Sequence, residues 1–240
     1  MSTKDLILAS AGGTSSTPLY VDDVFSTYLY TGTGSNLKIT NGIDLAGNGG
    51  MVWIKSREEA ASYHNVFDTN RGTGKLLITN QTSSQSTDAG SGKDLDSYNS
   101  NGFNLGVPVN GWTNSSGYKY VSWTFRKAAK FFDVVTYTGN GGNRSISHSL
   151  GATPGMIAIK RTDSADNWVI YHQSLGNDYE LFLNLTVAKN YTNDFNFTSP
   201  TSTAFSVNGN PAVNASGGTY VAYLFAHDTS STGLIQCGSF

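Results

Sequence analysis

The chain has 240 residues and a formal net charge of -2, and only 13% of its residues are charged, against about 25% in an ordinary soluble domain. No basic run and no cluster of Lys and Arg appears, so the positive footprint that phosphate neutralisation needs is missing and nucleic acid is not expected as a partner. A single cysteine, Cys237, excludes an intrachain disulfide and a cysteine-built zinc site, and no apolar run reaches the ~18 residues of a membrane span.

Residues 1–26 have no counterpart later in the chain. Leu6-Ile7-Leu8-Ala9 is too short for a signal-peptide core, and Gly12-Gly13-Thr14-Ser15-Ser16-Thr17-Pro18 is a polar spacer leading to a second apolar patch, Leu19, Tyr20, Val21, Val24 and Phe25. This segment reads as an arm whose second patch docks on the body or on a neighbouring subunit. From Thr27 onward strand follows strand: Tyr28-Leu29-Tyr30, then Leu37 and Ile39 before the Asn41-Gly42 turn, then Met51-Val52-Trp53-Ile54-Lys55, the strongest strand signal in the first half. Glu58-Glu59-Ala60-Ala61 has room for one helical turn. Val66-Phe67 and Leu76-Leu77-Ile78 add two strands. Asn80 to Gly92, mostly Ser, Thr, Gln and Gly, reads as a long exposed loop, and Phe103, Leu105 and Tyr120 to Phe125 complete the series.

Almost every block then recurs in the same order. Tyr30-Thr31-Gly32 returns as Tyr137-Thr138-Gly139, Gly50-Met51-Val52-Trp53-Ile54-Lys55 as Gly155-Met156-Ile157-Ala158-Ile159-Lys160, and Tyr120-Val121-Ser122-Trp123-Thr124-Phe125 as Tyr220-Val221-Ala222-Tyr223-Leu224-Phe225. A repeat of roughly 100 residues is far beyond solenoid periods, and no sustained helical period appears. The expected fold class is all-β: two tandem antiparallel β-sandwich repeats, 27–130 and 131–232, preceded by an N-terminal arm, 1–26. Residues 233–240 overlay the start of the second repeat and read as the start of a third or as a closing strand.

Catalytic signatures are weak. Glycoside hydrolysis needs two opposed carboxylates. Of the three glutamates, Glu58 and Glu59 are adjacent in one turn and Glu180 stands apart. Asp94, Asp96, Asn99 and Asn101 begin like a calcium loop, but no acid closes it, so a solvated turn is expected and no metal site is assigned. Arg71-Gly72-Thr73-Gly74-Lys75 is followed by Leu76 where a phosphate loop carries Ser or Thr. The histidines are scattered. No catalytic residue and no cofactor is expected.

Aromatics are in excess, with 13 Tyr, 12 Phe and 4 Trp. Trp53, Trp123, Phe125, Trp168 and Phe225 fall within strands and are expected to face inward. Trp112 lies in the Gly111-Trp112-Thr113-Asn114 loop and is matched by Ala212 in the second copy. Trp112 and Asn114 are therefore the candidate contacts for a sugar or a partner subunit.

Four long blocks, Tyr20 to Gly32, Asn41 to Ala46, Gly50 to Arg57 and Tyr220 to His227, resemble a family of marine bacteriophage virion proteins. The likeness extends over nearly the whole chain. It implies sandwiches similar to concanavalin-A-like (jelly-roll) or laminin-G-like domains and a place in the virion. It further implies a tail-fibre role without catalysis, tail or capsid proteins as partners, a homo-oligomer (trimers being usual for fibres) and contact with host surface glycans. A structural adaptor or capsid decoration protein, and a polysaccharide-degrading enzyme on the same scaffold, are the alternatives.

Overall fold

The two strongest strand signals share a feature that shapes the whole molecule: they are apolar at consecutive positions, the pattern of a strand covered on both faces. In the first, Val52 and Ile54 point into one apolar core while Met51 and Trp53 point into another; in the second, Ile157 and Ile159 part from Met156 and Ala158 in the same way. Each strand is the centre of a sheet with an apolar layer above and below.

The computed structural model describes residues 18–87, 92–109, 111–196 and 198–238, so the patch at Leu6 to Ala9 and the spacer through Thr17 lie outside the described residues. The protein is all-β, built from antiparallel sheets. The first half contains β1 (Phe25–Thr31), β2 (Leu37–Thr40), β3 (Gly50–Ser56), β4 (Asn65–Asp68), β5 (Leu77–Ile78), β6 (Leu95–Asn99), β7 (Gly102–Leu105) and β8 (Lys119–Arg126). The second contains β9 (Phe132–Thr138), β10 (Arg144–Ser147), β11 (Pro154–Arg161), β12 (Trp168–His172), β13 (Tyr179–Phe182), β14 (Asn190–Tyr191), β15 (Ala204–Val207) and β16 (Thr219–Ala226). Among the described residues three one-turn helices, α1 (Val21–Val24), α2 (Leu45–Asn48) and α3 (Pro211–Asn214), punctuate the chain. The large sheets run in the orders β1-β8-β3-β4-β5 and β9-β16-β11-β12-β13-β14, so equivalent strands take equivalent places. Sheet β2-β7-β6 and ribbon β10-β15 cover their outer faces.

Three apolar layers result. Ile39, Val52, Phe67, Phe103 and Tyr120 fill the first sandwich, and Ile157, Val169, Phe205, Tyr220 and Leu224 fill the second. Between the two large sheets lies a third layer with Val66, Phe132, Trp168, Tyr223 and Phe225. Four of the five strand aromatics expected to face inward pack at this seam and not inside either sandwich. Trp53, Phe125, Trp168 and Phe225 belong to this seam, and half-buried Trp123 meets Trp53 edge-on at 6.1 Å. Two-residue alternation is the reason: with Tyr120, Val52 and Tyr220 committed to the inner cores, residues one position away must turn to the opposite face.

The arm patch divides at the same seam. Val24 is fully buried there, and the ring of Phe25, already in β1, lies 4.8 Å from Phe125. These two residues are packed within the chain, whereas Leu19, Tyr20 and Val21 are exposed. Strand β1 thus begins inside the segment read as arm. At the other end Leu234 and Ile235 fold back onto the seam, and the Gln173 amide donates to the Cys237 carbonyl at 2.8 Å.

Polar groups clamp the seam. Asp68 and Arg71, both buried, pair at 2.5 Å, and the Tyr223 hydroxyl from the other half donates to Asp68 Oδ2 at 2.7 Å while accepting from Arg71 Nη2 at 3.2 Å. Trp168 Nε1 donates to the Ile78 carbonyl at 2.9 Å. The Ser/Thr-rich stretch expected as an exposed loop is in part a strap, for the Thr82 carbonyl accepts from Lys160 Nζ and from the Asp166 amide, and Gln85 N donates to Thr162 O. Its side chains gave no hint of this because the bonds are made by its backbone. Glu58 to Ala61 forms bends and a turn rather than a helical turn, since the Ser56 hydroxyl takes up the amides of Glu58 and Glu59.

Asp68→Ala leaves a buried guanidinium without its carboxylate and is expected to cost about 3–5 kcal/mol, whereas Tyr223→Phe, losing one hydroxyl from the network, costs about 1–3 kcal/mol. Urea unfolding followed by tryptophan fluorescence measures both, and a wild-type midpoint for Asp68→Ala contradicts the clamp.

Candidate functional site

The loop that carries Trp112 is held by a latch that occurs once in each half. Tyr30 and Tyr120 stack at 5.2 Å, and their hydroxyls donate to the carbonyls of Thr113 at 2.6 Å and Gly111 at 3.0 Å. In the second half Tyr137 and Tyr220 stack at 5.1 Å and donate to Val213 O at 2.6 Å and Pro211 O at 2.7 Å. Gly32 and Gly139 let the chain pass against the carbonyls of Ser115 and Ala215, where any Cβ collides with backbone.

Asn114 is the latch's bolt and not a ligand contact. It is fully buried; its Oδ1 accepts from Thr33 N at 2.9 Å, and its Nδ2 donates to Ser35 O at 2.5 Å and to Gly106 O at 2.9 Å. Asn214 does the same work, accepting from Asn140 N and donating to Gly142 O. The expectation for Asn114 is corrected on this ground. The signal was present in the sequence, because Asn recurs at the equivalent position whereas Trp112 does not.

Trp112 is half-buried and lies on one side of an open groove of about 330 Å³. Its ring meets Tyr63 edge-on at 4.5 Å, and Tyr118, exposed, adds a third ring to the lining. Glu59 and the hydroxyl-bearing Ser62 and Ser115 complete the polar part. Ser115 Oγ donates to Gly111 O at 2.9 Å. Ser62 is 5% exposed and its Oγ has no hydrogen-bond partner among the described residues, a state that burial penalises. Lys119 pairs with Glu58 at 2.7 Å, and Lys55 Nζ donates to the Glu59 carbonyl at 2.9 Å. The chemistry on offer is aromatic faces with hydroxyl and carboxylate groups at their edge. Neither Tyr63 nor Ser62 was singled out from sequence, since both come from the β3–β4 connection, distant along the chain from Trp112.

Other chemistry-bearing groups are committed elsewhere. Asp94, expected in a solvated turn, is 3% exposed; its Oδ1 accepts from Thr113 Oγ1 at 2.6 Å, so it anchors the Trp112 loop from beneath, and burial raises its pKa. His148 is buried beside Phe205 with its Nδ1 accepting from Leu150 N. No group of three or more His, Cys, Asp or Glu able to hold a metal is found among the described residues. Glu180 and Asp194, 4% and 1% exposed, form a buried carboxyl pair: Asn190 Nδ2 donates to Glu180 Oε1 at 2.9 Å and Asn210 Nδ2 to Asp194 Oδ1 at 2.8 Å. Burial, with Asp194 beside it, pushes Glu180 up to about 7, against the pull of the Asn190 amide.

Fold and groove together define an all-β protein of face-packed antiparallel sheets with an aromatic-lined, hydroxyl-edged surface cleft on one loop. The chain belongs to the family described as Domain of unknown function (DUF7483), which matches residues 21–240. No curated protein and no solved structure matches it.

Because the folded Glu180 carboxyl titrates above its ordinary 4.5, its stabilising contribution is full below that value and is lost as pH rises through about 7. Glu180→Gln is expected to raise the melting temperature at pH 8, to leave it nearly unchanged at pH 4, and to flatten the dependence between. Parallel slopes for the two proteins in thermal melts across pH 4–8 contradict the raised Glu180 pKa.

Proposed function

We propose that this is a non-enzymatic structural protein of a bacteriophage virion, most consistent with a tail-fibre component, which touches host surface glycans through the loop groove at Trp112. The observation that carries the glycan contact is the groove itself. Three aromatic side chains line it and offer apolar area to the C–H face of a pyranose, while Ser62, Ser115 and Glu59 supply edge groups for its hydroxyls. The latch fixes the loop through backbone carbonyls and Asn114, so the indole of Trp112, packed on one side against the first core, takes no part in those bonds and lines the groove. A surface with 13% charged residues suits contacts made by stacking and hydrogen bonds, which salt screens little.

The virion setting and the partnership with tail or capsid proteins rest on the resemblance of the long sequence blocks, with Leu19, Tyr20 and Val21 as the exposed remainder of the anchoring patch. Self-association is supported by exposed Leu185 and Val187 in the connection from β13 to β14; a trimer is the form proposed.

A glycan array probed with the whole chain tests the groove. Wild-type protein is expected to retain neutral glycans, and Trp112→Ala to lose them by about tenfold or more, equivalent to about 1.4 kcal/mol, while remaining folded by circular dichroism. Absence of any bound glycan for the wild type at high protein concentration overturns the attachment role in favour of an adaptor or capsid decoration protein. Release of oligosaccharide from host envelope by the wild type overturns the non-enzymatic assignment.

A further inference from the structure

The seam between the two large sheets does not close everywhere. It opens into a cleft of about 310 Å³, with Met51, Trp53 and Val66 on the wall from the first half and Met156, Ala158 and Leu181 on the wall from the second. Almost nothing polar reaches it. The two indole N–H groups at its edge point away, Trp53 Nε1 toward His64 Nδ1 at 3.3 Å and Trp168 Nε1 toward Ile78 O at 2.9 Å, so only ring faces remain toward the space. At a liquid share of about 30 Å³ per water-sized atom, the volume holds about ten non-hydrogen atoms. A lining this apolar offers water few hydrogen-bond partners and favours an apolar occupant.

The walls also decide what kind of apolar molecule fits. Strand β3 is paired on both sides by β8 and β4, β4 by β3 and β5, β11 by β12 and β16, and β13 by β12 and β14. Among the described residues each of these strands has a neighbour on both sides; β14 reaches β13 only at Tyr179 and Glu180, and beyond it the Leu185 amide takes up the Phe182 carbonyl. A peptide from a second copy or another protein has nothing to pair its backbone with there, and burying unpaired N–H and C=O groups is costly. An occupant without obligatory hydrogen bonds carries no such cost. We infer that the cleft between the sheets is a binding site for a small hydrocarbon moiety, an aliphatic chain or single aromatic ring system of about ten non-hydrogen atoms, admitted past half-exposed Leu183 at its lip. This site is separate from the Trp112 groove and does not depend on the glycan reading.

The probe is 1-octanol, titrated into the full chain by calorimetry at two temperatures. Wild-type protein is expected to bind one equivalent saturably, with a negative heat-capacity change. Ala158→Phe fills the cleft from the second half and is expected to weaken binding at least tenfold while melting at or above the wild-type temperature; Val66→Leu fills it more mildly from the opposite wall and gives an intermediate loss. Trp112→Ala is expected to bind octanol unchanged, which separates this site from the glycan groove. Failure of the wild type to saturate overturns the proposal, as does unaltered binding by both filling variants. A drop in melting temperature for both variants shows that the walls already touch, and likewise overturns it. So does octanol binding that disappears in Leu183→Asp together with a concentration-dependent dimer in sedimentation, which assigns the apolar surface to a second copy.

Discussion

Everything in this molecule hangs on a buried contact between its halves, the Asp68–Arg71 pair capped by the Tyr223 hydroxyl. A guanidinium is expensive to take out of water, and it is tolerated here because Tyr223 and Asp68 outweigh burial and hold its pKa above the usual value. Its remaining donors are used on carbonyls and a side-chain amide of the same half, Val66 O, Lys75 O and Gln85 Oε1. Directional bonds of this kind set the relation of the two sheets more tightly than an apolar layer does, since apolar contacts tolerate sliding. Lys160 repeats the idea on a smaller scale: it is fully buried, reaches across to Thr82 O, and is drawn down to about 8 by the loss of solvent.

That constraint explains why the central strands are apolar at consecutive positions and why the aromatics are so many. Each large sheet has two faces to cover, one with its own small sheet and one with its twin. Large rings fill the space between twisted sheets at few backbone positions, as with Phe125, Phe132 and Phe225, whose centroids lie 5.0 to 5.5 Å apart. Where the rings and thioethers fall short of meeting, the seam leaves its cleft.

The two latches show how repetition separates structure from function. Tyrosine stacking, the close-approach glycine and the bolt asparagine occur in both halves because each sandwich needs its loop fixed at the same corner. What occurs once is available for something else. Trp112 stands opposite Tyr63 and Tyr118 in the first half, while the second half places Ala212 at the corresponding point of α3.

The sequence alone determined the all-β class, the order of the strands and the singling out of Trp112, because strand propensity, turn chemistry and self-similarity are properties of short stretches. The same local information located Asn114 but not its role, which depends on carbonyls contributed by Ser35 and Gly106. Only the tertiary structure decided which face of each strand meets which layer. The alternation of Met51, Val52, Trp53 and Ile54 is equally compatible with either assignment until a second sheet is brought against the first. For that reason Val24 and Phe25 passed from arm to core, Trp168 from one interior to the seam, and a Ser/Thr-rich loop became a strap: their partners are brought close by folding and not by order along the chain.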